Sequence, residues 1–373
     1  MCYNERGVIV MTKKFSEIDK NLAVSAAFNE PDMKVYNIRE NDAFSIHGLY
    51  NPKTETVFRR LPADAARKVS ENVETLSLNT AGGRVRFRTN SEYIGIKCVM
   101  PEVNIMPHMP ATGSSGFDMY VKRGGREVYE HSFVPPWGNF EGGYESVCHF
   151  KSEEMREVTI NFPLYNKVDD LYIILSEKAE LLPPLPYTFR KPVVFYGSSI
   201  TQGGCASRPG NCYASMVSQR LDCDYINLGF SGSARGEDAI IDYISSLDMS
   251  VFVYDYDYNA PDAEHLEKTH ERGFLRFREK NPDVPVIFAS APTIRDGNPP
   301  FGFERRQIIF NTYANAMRRG DGNVFFIDGA GMFAGEFPRS CTVDGTHPND
   351  IGFLRMYGSF VKYIELAINK SAT

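Results

Sequence analysis

One short segment carries residue types that could perform nucleophilic chemistry. Gly197, Ser198, Ser199 and Thr201 follow directly on the run 193–196, which is β-branched and aromatic and therefore typical of a buried strand. A serine at the point where a strand ends and a helix begins is open to a ligand, and the N–H groups of such a turn can bind a developing oxyanion. Taken alone, the two serines are explained more simply as a capping turn.

Three later segments supply the other groups that acyl transfer requires. Gly232 leaves a backbone N–H accessible, Asn259 adds a side-chain amide, and Asp344 and His347 provide a carboxylate and an imidazole three residues apart. Serine, oxyanion donors, histidine and carboxylate are the groups used in nucleophilic acyl transfer. Each residue alone also has a structural explanation, as a turn glycine, a turn asparagine, a helix cap or a surface histidine.

These segments follow the strands of a predicted doubly wound α/β sheet. Strands are expected at 193–198, 224–229, 251–257, 284–290 and 323–328, with helices near 211–221, 237–247, 263–280, 303–319 and 349–370. Five strands separated by helices predict a parallel sheet that is covered on both faces. Because ligands bind beyond the carboxyl ends of such strands, we expect the chemical segments to converge there.

The first half of the chain has an alternation of period two, from about residue 43 to residue 177. Val158, Ile160 and Phe162, for example, alternate with polar residues, and glycine turns separate the runs. Short alternating strands of this kind predict an antiparallel β-sandwich. The expected organisation is an N-terminal arm or edge strand (1–40), a β-sandwich domain (41–178), a stiff proline-rich linker (179–192) and the α/β domain (193–373).

The segments of the α/β half resemble the sequence blocks of the SGNH, or GDSL-type, hydrolases, which have a flavodoxin-like fold. The Gly-Asp-Ser-Leu block of that family is similar to residues 197–200, with the nucleophile at Ser199 and Ser198 in place of aspartate. The Asp-x-x-His block is intact as Asp344 and His347. The resemblance implies that Ser199 attacks an ester carbonyl, that His347 accepts and returns the proton, and that Asp344 orients the imidazole.

The two central blocks match less completely. The glycine of the second block falls on Gly232, whereas the Gly-x-Asn-Asp block keeps only Asn259, because Asp257 and Ala260 replace its flanking residues. The resemblance implies an oxyanion hole formed by the N–H of Ser199, the N–H of Gly232 and the amide of Asn259. It implies no cofactor and no metal.

A two-domain subgroup of the family is more similar still, because its catalytic domain follows a small β-domain with a Gly-x-Asp-Leu-Tyr motif. The segment 116–120 differs from that motif only by methionine for leucine, and residues 60–62, 207–210 and 346–350 also resemble the subgroup. The subgroup implies a serine esterase that removes a small acyl group, such as acetyl, from a carbohydrate or a similar alcohol. An acyltransferase that uses the same serine and a catalytically inert carbohydrate-binding protein are the alternatives.

Two further residues are candidates for substrate binding. Trp137, the single tryptophan, lies in a Pro-Pro-Trp-Gly segment of the β-domain, where it could stack on a sugar or fill the domain interface. Arg208 lies in the segment 207–210 that resembles the subgroup. A small acyl ester is the expected partner of the protein.

Composition excludes several classes of function. The 373 residues carry a net charge of −6 with no basic run, which argues against nucleic-acid binding. No apolar run reaches the length of about 18 residues that crosses a membrane, so no membrane partner is expected. Seven cysteines without a Cys-x-x-Cys pair predict reduced thiols and a cytoplasmic location. The sequence leaves a monomer and a homo-oligomer equally open.

Overall fold

The structure is a computed structural model, and it describes residues 2–3, 9–10, 30, 32–136, 140, 142–292 and 299–371. The antiparallel strands of the first half are β1 (Cys2–Tyr3), β2 (Ile9–Val10), β3 (Met33–Asn37), β4 (Ser45–His47), β5 (Arg84–Thr89), β6 (Tyr93–Val99), β7 (Phe117–Arg123), β8 (Arg126–Phe133), β9 (Glu145–His149), β10 (Arg156–Asn161), β11 (Asp170–Ser176) and β12 (Leu181–Leu182).

Two antiparallel sheets form the predicted sandwich. One has the order β12-β5-β10-β7-β8, with β4 also paired to β5, and the other has the order β3-β11-β6-β9. The alternating apolar residues of both sheets, such as Phe87, Ile96 and Ile160, are buried in one shared core. This confirms the antiparallel β-sandwich that the period-two pattern predicted. Strand β3, from the segment expected to be an arm or an edge strand, forms an edge of the second sheet.

Two helices of the first half were not expected from the sequence. They are α1 (Ala63–Val69) and α2 (Glu71–Leu76), and a third short helix, α3 (Ala111–Ser114), precedes β7. At seven and six residues, α1 and α2 are too short for a helical period to show clearly in the sequence. Ala66 and Val73 pack into the core of the second half, against residues such as Ile240 and Ile241.

The second half is a parallel sheet with helices on both faces. Its strands are β13 (Phe189–Gly197), β14 (Cys223–Gly229), β15 (Val251–Asp255), β16 (Val286–Ala289) and β17 (Val324–Ile327), and its helices are α4 (Ser199–Gln202), α5 (Tyr213–Leu221), α6 (Asp238–Ile244), α7 (Ala263–Lys280), α8 (Pro299–Arg318) and α9 (Asp350–Ser371). The order β14-β13-β15-β16-β17, with all neighbours parallel, confirms the predicted five-stranded flavodoxin-like sheet.

The proline-rich segment joins both sheets directly. Strand β12 pairs with β5 in the sandwich, and Phe189 already pairs with Cys223 of the parallel sheet. Among the described residues, no helix is long and apolar enough to cross a membrane. Six of the cysteines are free and buried, namely Cys98, Cys148, Cys205, Cys212, Cys223 and Cys341.

Candidate active site

Ser199 is the first residue of α4, a short helix that lies across the carboxyl edge of the parallel sheet. Two strand-end glycines allow this position. A Cβ on Gly197 would lie 2.1 Å from the Thr201 Oγ1 atom, and one on Gly229 would lie 2.2 Å from the backbone nitrogen of Gln202. Any larger residue at either position would therefore displace the helix that carries Ser199.

The two adjacent serines have separate tasks. The Ser198 side chain caps α4, because its Oγ accepts a hydrogen bond from the backbone N–H of Ile200 at 3.1 Å. Ser199 is 8% exposed, and its Oγ lies 3.0 Å from Nε2 of His347. The capping turn and the nucleophile position are thus both present, on neighbouring residues.

His347 and Asp344 lie in the loop that precedes α9. The Nδ1 atom of His347 is 2.6 Å from Oδ2 of Asp344, so the ring is hydrogen-bonded on both sides, to the carboxylate and to Ser199. The other carboxylate oxygen of Asp344 accepts the backbone N–H groups of Thr346 and His347, at 2.9 Å and 2.7 Å. This arrangement allows Ser199 to transfer a proton to His347 while Asp344 holds the ring.

The Asp344 carboxyl is held in its charged form. Partial burial raises its pKa, but hydrogen bonds from the His347 ring and from the N–H groups of His347 and Thr346 outweigh that effect and lower the pKa to about 2. Asp344 is therefore a carboxylate at any pH at which the enzyme would work, and it can accept the Nδ1 proton of the imidazole.

Gly232 and Asn259 lie in the loops that follow β14 and β15. Gly232 is exposed and has a φ of 66°, which favours glycine, and within the described part of the chain its N–H donates to no protein acceptor. The Nδ2 atom of Asn259 donates to the carbonyl oxygen of Phe230 at 2.7 Å. An amide nitrogen has two hydrogens, so the second remains for an oxyanion. The N–H of Ser199, at the start of α4, has no acceptor within its own helix.

Asp257, which departs from the family block, fixes the turn that carries Asn259. Its carboxylate accepts the N–H of Ala291 at 2.9 Å and the Arg305 guanidinium at 3.2 Å, and that guanidinium also binds the carbonyl oxygens of Asp257 and Ala260. Asp257 is buried, and the glycine of the family block could not make these contacts. The departure from the family pattern thus leaves Asn259 on a well-anchored turn.

The β-domain adds two residues to the site. The His108 ring centroid is 5.6 Å from that of His347, and the Tyr165 hydroxyl donates to the carbonyl oxygen of Ser199 at 3.1 Å. The sequence alone assigns a role to neither His108 nor Tyr165, because neither residue has a local pattern that reveals a contact across domains. One nitrogen of His108, one of His347 and a carboxylate oxygen of Asp344 lie within 4.8 Å of one another, which is a donor set that could hold a metal ion.

The structure describes only one of the two residues that were predicted to bind substrate. Trp137 lies outside the described residues. The Arg208 guanidinium lies at the domain interface, where it donates to Asp118 at 3.0 Å and to the hydroxyl of Tyr120, and it stacks 4.0 Å from the ring centroid of Tyr129. Its part in substrate binding stays a prediction.

Comparison with known proteins agrees with this geometry. Residues 190–365 match the GDSL-like lipase/acylhydrolase family, and residues 33–181 match the N-terminus of SGNH hydrolase-type esterases, named GxDLY. The chain belongs to the GDSL-type hydrolases. It is an enzyme of the class that hydrolyses ester bonds. No curated protein matches the chain.

Several solved structures share both halves of this GDSL-type hydrolase. A protein from Bacteroides ovatus ATCC 8483 named as a GDSL-like lipase is 26% identical, with a TM-score of 0.81 over 90% of this chain and 98% of that one. The salicylyl-acyltransferase SsfX3 from a tetracycline biosynthetic pathway is 17% identical, with a TM-score of 0.72 over 91% and 98%. A family two carbohydrate esterase from Clostridium thermocellum is 13% identical, with a TM-score of 0.59 over 88% and 99%. The last two similarities establish the fold.

Proposed function

We propose that this protein is a serine esterase that removes a small acyl group, such as acetyl, from a carbohydrate or a similar alcohol. The observation that carries the proposal is the continuous hydrogen-bonded series from Ser199 Oγ through His347 to Asp344 at the carboxyl edge of the sheet. This arrangement, together with oxyanion donors, is what acyl-enzyme chemistry requires.

The reaction would proceed in two steps. Ser199 Oγ attacks the ester carbonyl while Nε2 of His347 takes the hydroxyl proton, and the tetrahedral oxyanion is bound by the N–H groups of Ser199 and Gly232 and by the Asn259 amide. His347 then gives the proton to the leaving alcohol, which departs as the C–O bond breaks. Water next attacks the acyl-enzyme with His347 as base, and the acid leaves as Ser199 regains its proton.

The alcohol part of the substrate is inferred from two kinds of support. Carbohydrate esterases are among the structures with the same two-domain fold. In addition, the β-domain places His108 against His347, on the rim of the site. A polar side chain at this exposed position would contact the alcohol part of a bound ester, which leaves the site first.

An acyltransferase is the second candidate, because a salicylyl-acyltransferase is the neighbour with a TM-score of 0.72. Such an enzyme would use the same acyl-enzyme on Ser199 and differ only in the acceptor, an alcohol in place of water. Catalytic inertness is disfavoured by the intact contacts of Ser199, His347 and Asp344.

The test compares two neighbouring serines with an aryl acetate and a panel of acetylated sugars. Ser199→Ala is expected to abolish turnover, whereas Ser198→Ala removes only the helix cap, at a cost of about 1 kcal/mol in stability, and keeps the nucleophile. Full activity of Ser199→Ala would overturn the proposal. Adding acceptor alcohols to the wild type and measuring ester product separates hydrolase from transferase.

A further inference from the structure

The Gly-x-Asp-x-Tyr segment of the β-domain takes no part in the proposed mechanism, yet its carboxylate is completely buried. We propose that Asp118 is a positioning residue for catalysis, which acts through residues 203–211 to hold the His347 loop against Ser199. This inference rests on the proposed function of the Ser199 site. Residues 203–211 are called the bridging loop below.

Asp118 binds the bridging loop from the β-domain. Its side chain is 0% exposed, and its Oδ2 atom accepts the N–H of Gly210 at 2.8 Å and the guanidinium of Arg208 at 3.0 Å. The other oxygen accepts from Nδ2 of Asn161 at 2.9 Å, so the side chain is fixed within its own sheet as well. A buried carboxylate with three donors of this kind holds its partners rigidly, because leaving any of them unpaired is costly.

The fit between the β-domain and the bridging loop depends on close backbone approach. A Cβ on Gly210 would lie 2.2 Å from the Tyr120 hydroxyl, and one on Gly113 would lie 2.1 Å from the carbonyl oxygen of Ala206. Asp118 and Tyr120, the two polar residues of the motif, therefore both face the loop.

The opposite side of the bridging loop binds the segment that carries the catalytic histidine. The N–H of Cys205 donates to the carbonyl oxygen of Pro348 at 2.8 Å, one residue after His347. Asp350 accepts the N–H of Ser207 at 2.9 Å and Nδ2 of Asn211 at 3.0 Å, and also binds the Ser207 hydroxyl. The bridging loop thus sets where residues 348–350, and hence His347, lie.

The loop is also joined to the nucleophile. The N–H groups of Gly203 and Gly204 donate to the carbonyl oxygen of Ser199 at 3.0 Å and 2.9 Å. One short loop consequently contacts the nucleophile, the histidine segment and the β-domain, and Asp118 is its buried anchor on the third side. A displacement of about 1 Å between reacting groups can lower a rate by about 100-fold, so loss of this anchor should appear in kcat.

The structure offers a matched control for this anchor. Asp224 also accepts a buried arginine of the β-domain, Arg84, and it lies 3.0 Å from Nδ1 of His47. Asp224 is near the start of β14, at the amino end of the parallel sheet and therefore away from the site. Asp118→Asn and Asp224→Asn each weaken an inter-domain carboxylate–arginine contact, and only the first should alter Ser199 chemistry.

The experiment measures kcat, KM, Tm and the rate of Ser199 modification by a fluorophosphonate for both variants of the full chain. Asp118→Asn is expected to lower kcat and the modification rate together by about 10- to 100-fold, with KM within about twofold. Asp224→Asn is expected to lower Tm while leaving kcat and the modification rate near the wild type. Equal kcat in both variants, or a change in Tm alone for Asp118→Asn, would overturn the inference.

A second variant covers the case in which Asp118→Asn does not fold. Asn211→Ala removes one contact between the bridging loop and Asp350 from a half-buried position, and it should also lower kcat without raising KM. An unchanged kcat in Asn211→Ala would then overturn the inference. Failure of the proposed function would look different, since the wild type would not react with the fluorophosphonate and Ser199→Ala would keep its activity.

Discussion

Asn259 offers a test at the scale of a single side chain. One hydrogen of its amide binds the carbonyl oxygen of Phe230, two residues before Gly232, and the other donates to no acceptor in the described part of the chain. If the second hydrogen binds the oxyanion, Asn259→Ala should lower kcat by about 10²–10³ with little change in KM, because the contact exists mainly in the transition state. Steady-state kinetics with an aryl acetate, together with Tm, measure both effects.

Asn259→Asp sharpens the same test, because a carboxylate in this place would repel the developing negative charge and the carbonyl of Phe230. Its kcat should fall at least as far as that of the alanine variant. A variant with lowered Tm but nearly normal kcat would assign Asn259 to the turn alone.

Asp344 offers a prediction that depends on its protonation state. With a pKa of about 2 it accepts the Nδ1 proton of His347, which leaves Nε2 free to accept from Ser199. The Asp344→Asn amide can donate to Nδ1 instead and so favours the tautomer whose Nε2 carries the proton. By analogy with the serine-protease triad, kcat should fall by about 10⁴ while the fold is kept. A loss below about tenfold would show that the carboxylate does not set the tautomer.

The residues of the site differ in how far the sequence alone could place them. Ser199 directly follows a strand end, and Asp344 and His347 form a short block between the last strand and the last helix, which a parallel sheet brings to the same edge. The Tyr165–Ser199 contact joins residues that are 34 positions apart, and the Asp118–Arg208 contact joins residues that are 90 positions apart. Both contacts cross the interface between the two halves, and no local pattern in the sequence encodes them.

At the scale of elements, the end of β15 and helix α4 share a buried acid. Asp255 accepts from the Tyr213 hydroxyl at 2.9 Å and from Thr201 Oγ1 at 3.2 Å, two residues after the nucleophile. Burial raises the pKa of Asp255 to about 7, although both hydrogen bonds oppose this. Between these two pKa values Asp255 is therefore protonated in the folded protein, whereas in the unfolded chain, where its pKa is about 3.9, it is a carboxylate.

The sign of the resulting pH dependence follows from that difference in bound protons. Between about pH 4 and pH 7 the folded state binds more protons, so the Asp255 contribution to the free energy of unfolding decreases as pH rises, by up to about 1.4 kcal/mol per pH unit. Asp255→Asn should remove this decrease. Urea unfolding gives the free energy of unfolding of both proteins at about pH 5 and about pH 8. The value for Asp255→Asn minus the value for the wild type should be larger at the higher pH.

Asp248→Asn, at an exposed aspartate that binds Lys191, supplies the baseline for this comparison. If the difference in the free energy of unfolding between Asp255→Asn and the wild type were the same at both pH values, Asp255 would not be protonated in the folded state.

The strands and long helices of the second half were predicted to within a few residues. Helices α1 and α2 were missed because helices of one or two turns leave too few apolar positions to reveal a period.

At the scale of the whole molecule, the two halves share buried contacts as well as a covalent connection. Leu61, Ala66 and Val73 of the first half belong to the apolar core beneath the parallel sheet. Arg60, 1% exposed, donates to the carbonyl oxygens of Leu76 and Asn79 in the first half and of Asn227 and Gly229 in β14. One buried guanidinium thus holds the strand that leads into the Gly232 loop.

This junction predicts that the molecule unfolds as one cooperative unit. Arg60→Met fills similar space but removes a donor from four carbonyl oxygens, and the two fully buried contacts, to Asn227 and Gly229, should cost about 1–3 kcal/mol each before relaxation. Pulsed hydrogen–deuterium exchange of peptides from the sandwich strands follows the first half, and far-ultraviolet circular dichroism follows mainly the helices of the second half. In the wild type both urea transitions should coincide, and in Arg60→Met both should move to lower urea. Arg88→Met, which removes an exposed hydrogen bond from a half-buried arginine to the Pro183 carbonyl, should change stability by less than about 0.5 kcal/mol. Two separate transitions in the wild type would show that the halves unfold as independent domains, and the prediction of one cooperative unit would be wrong.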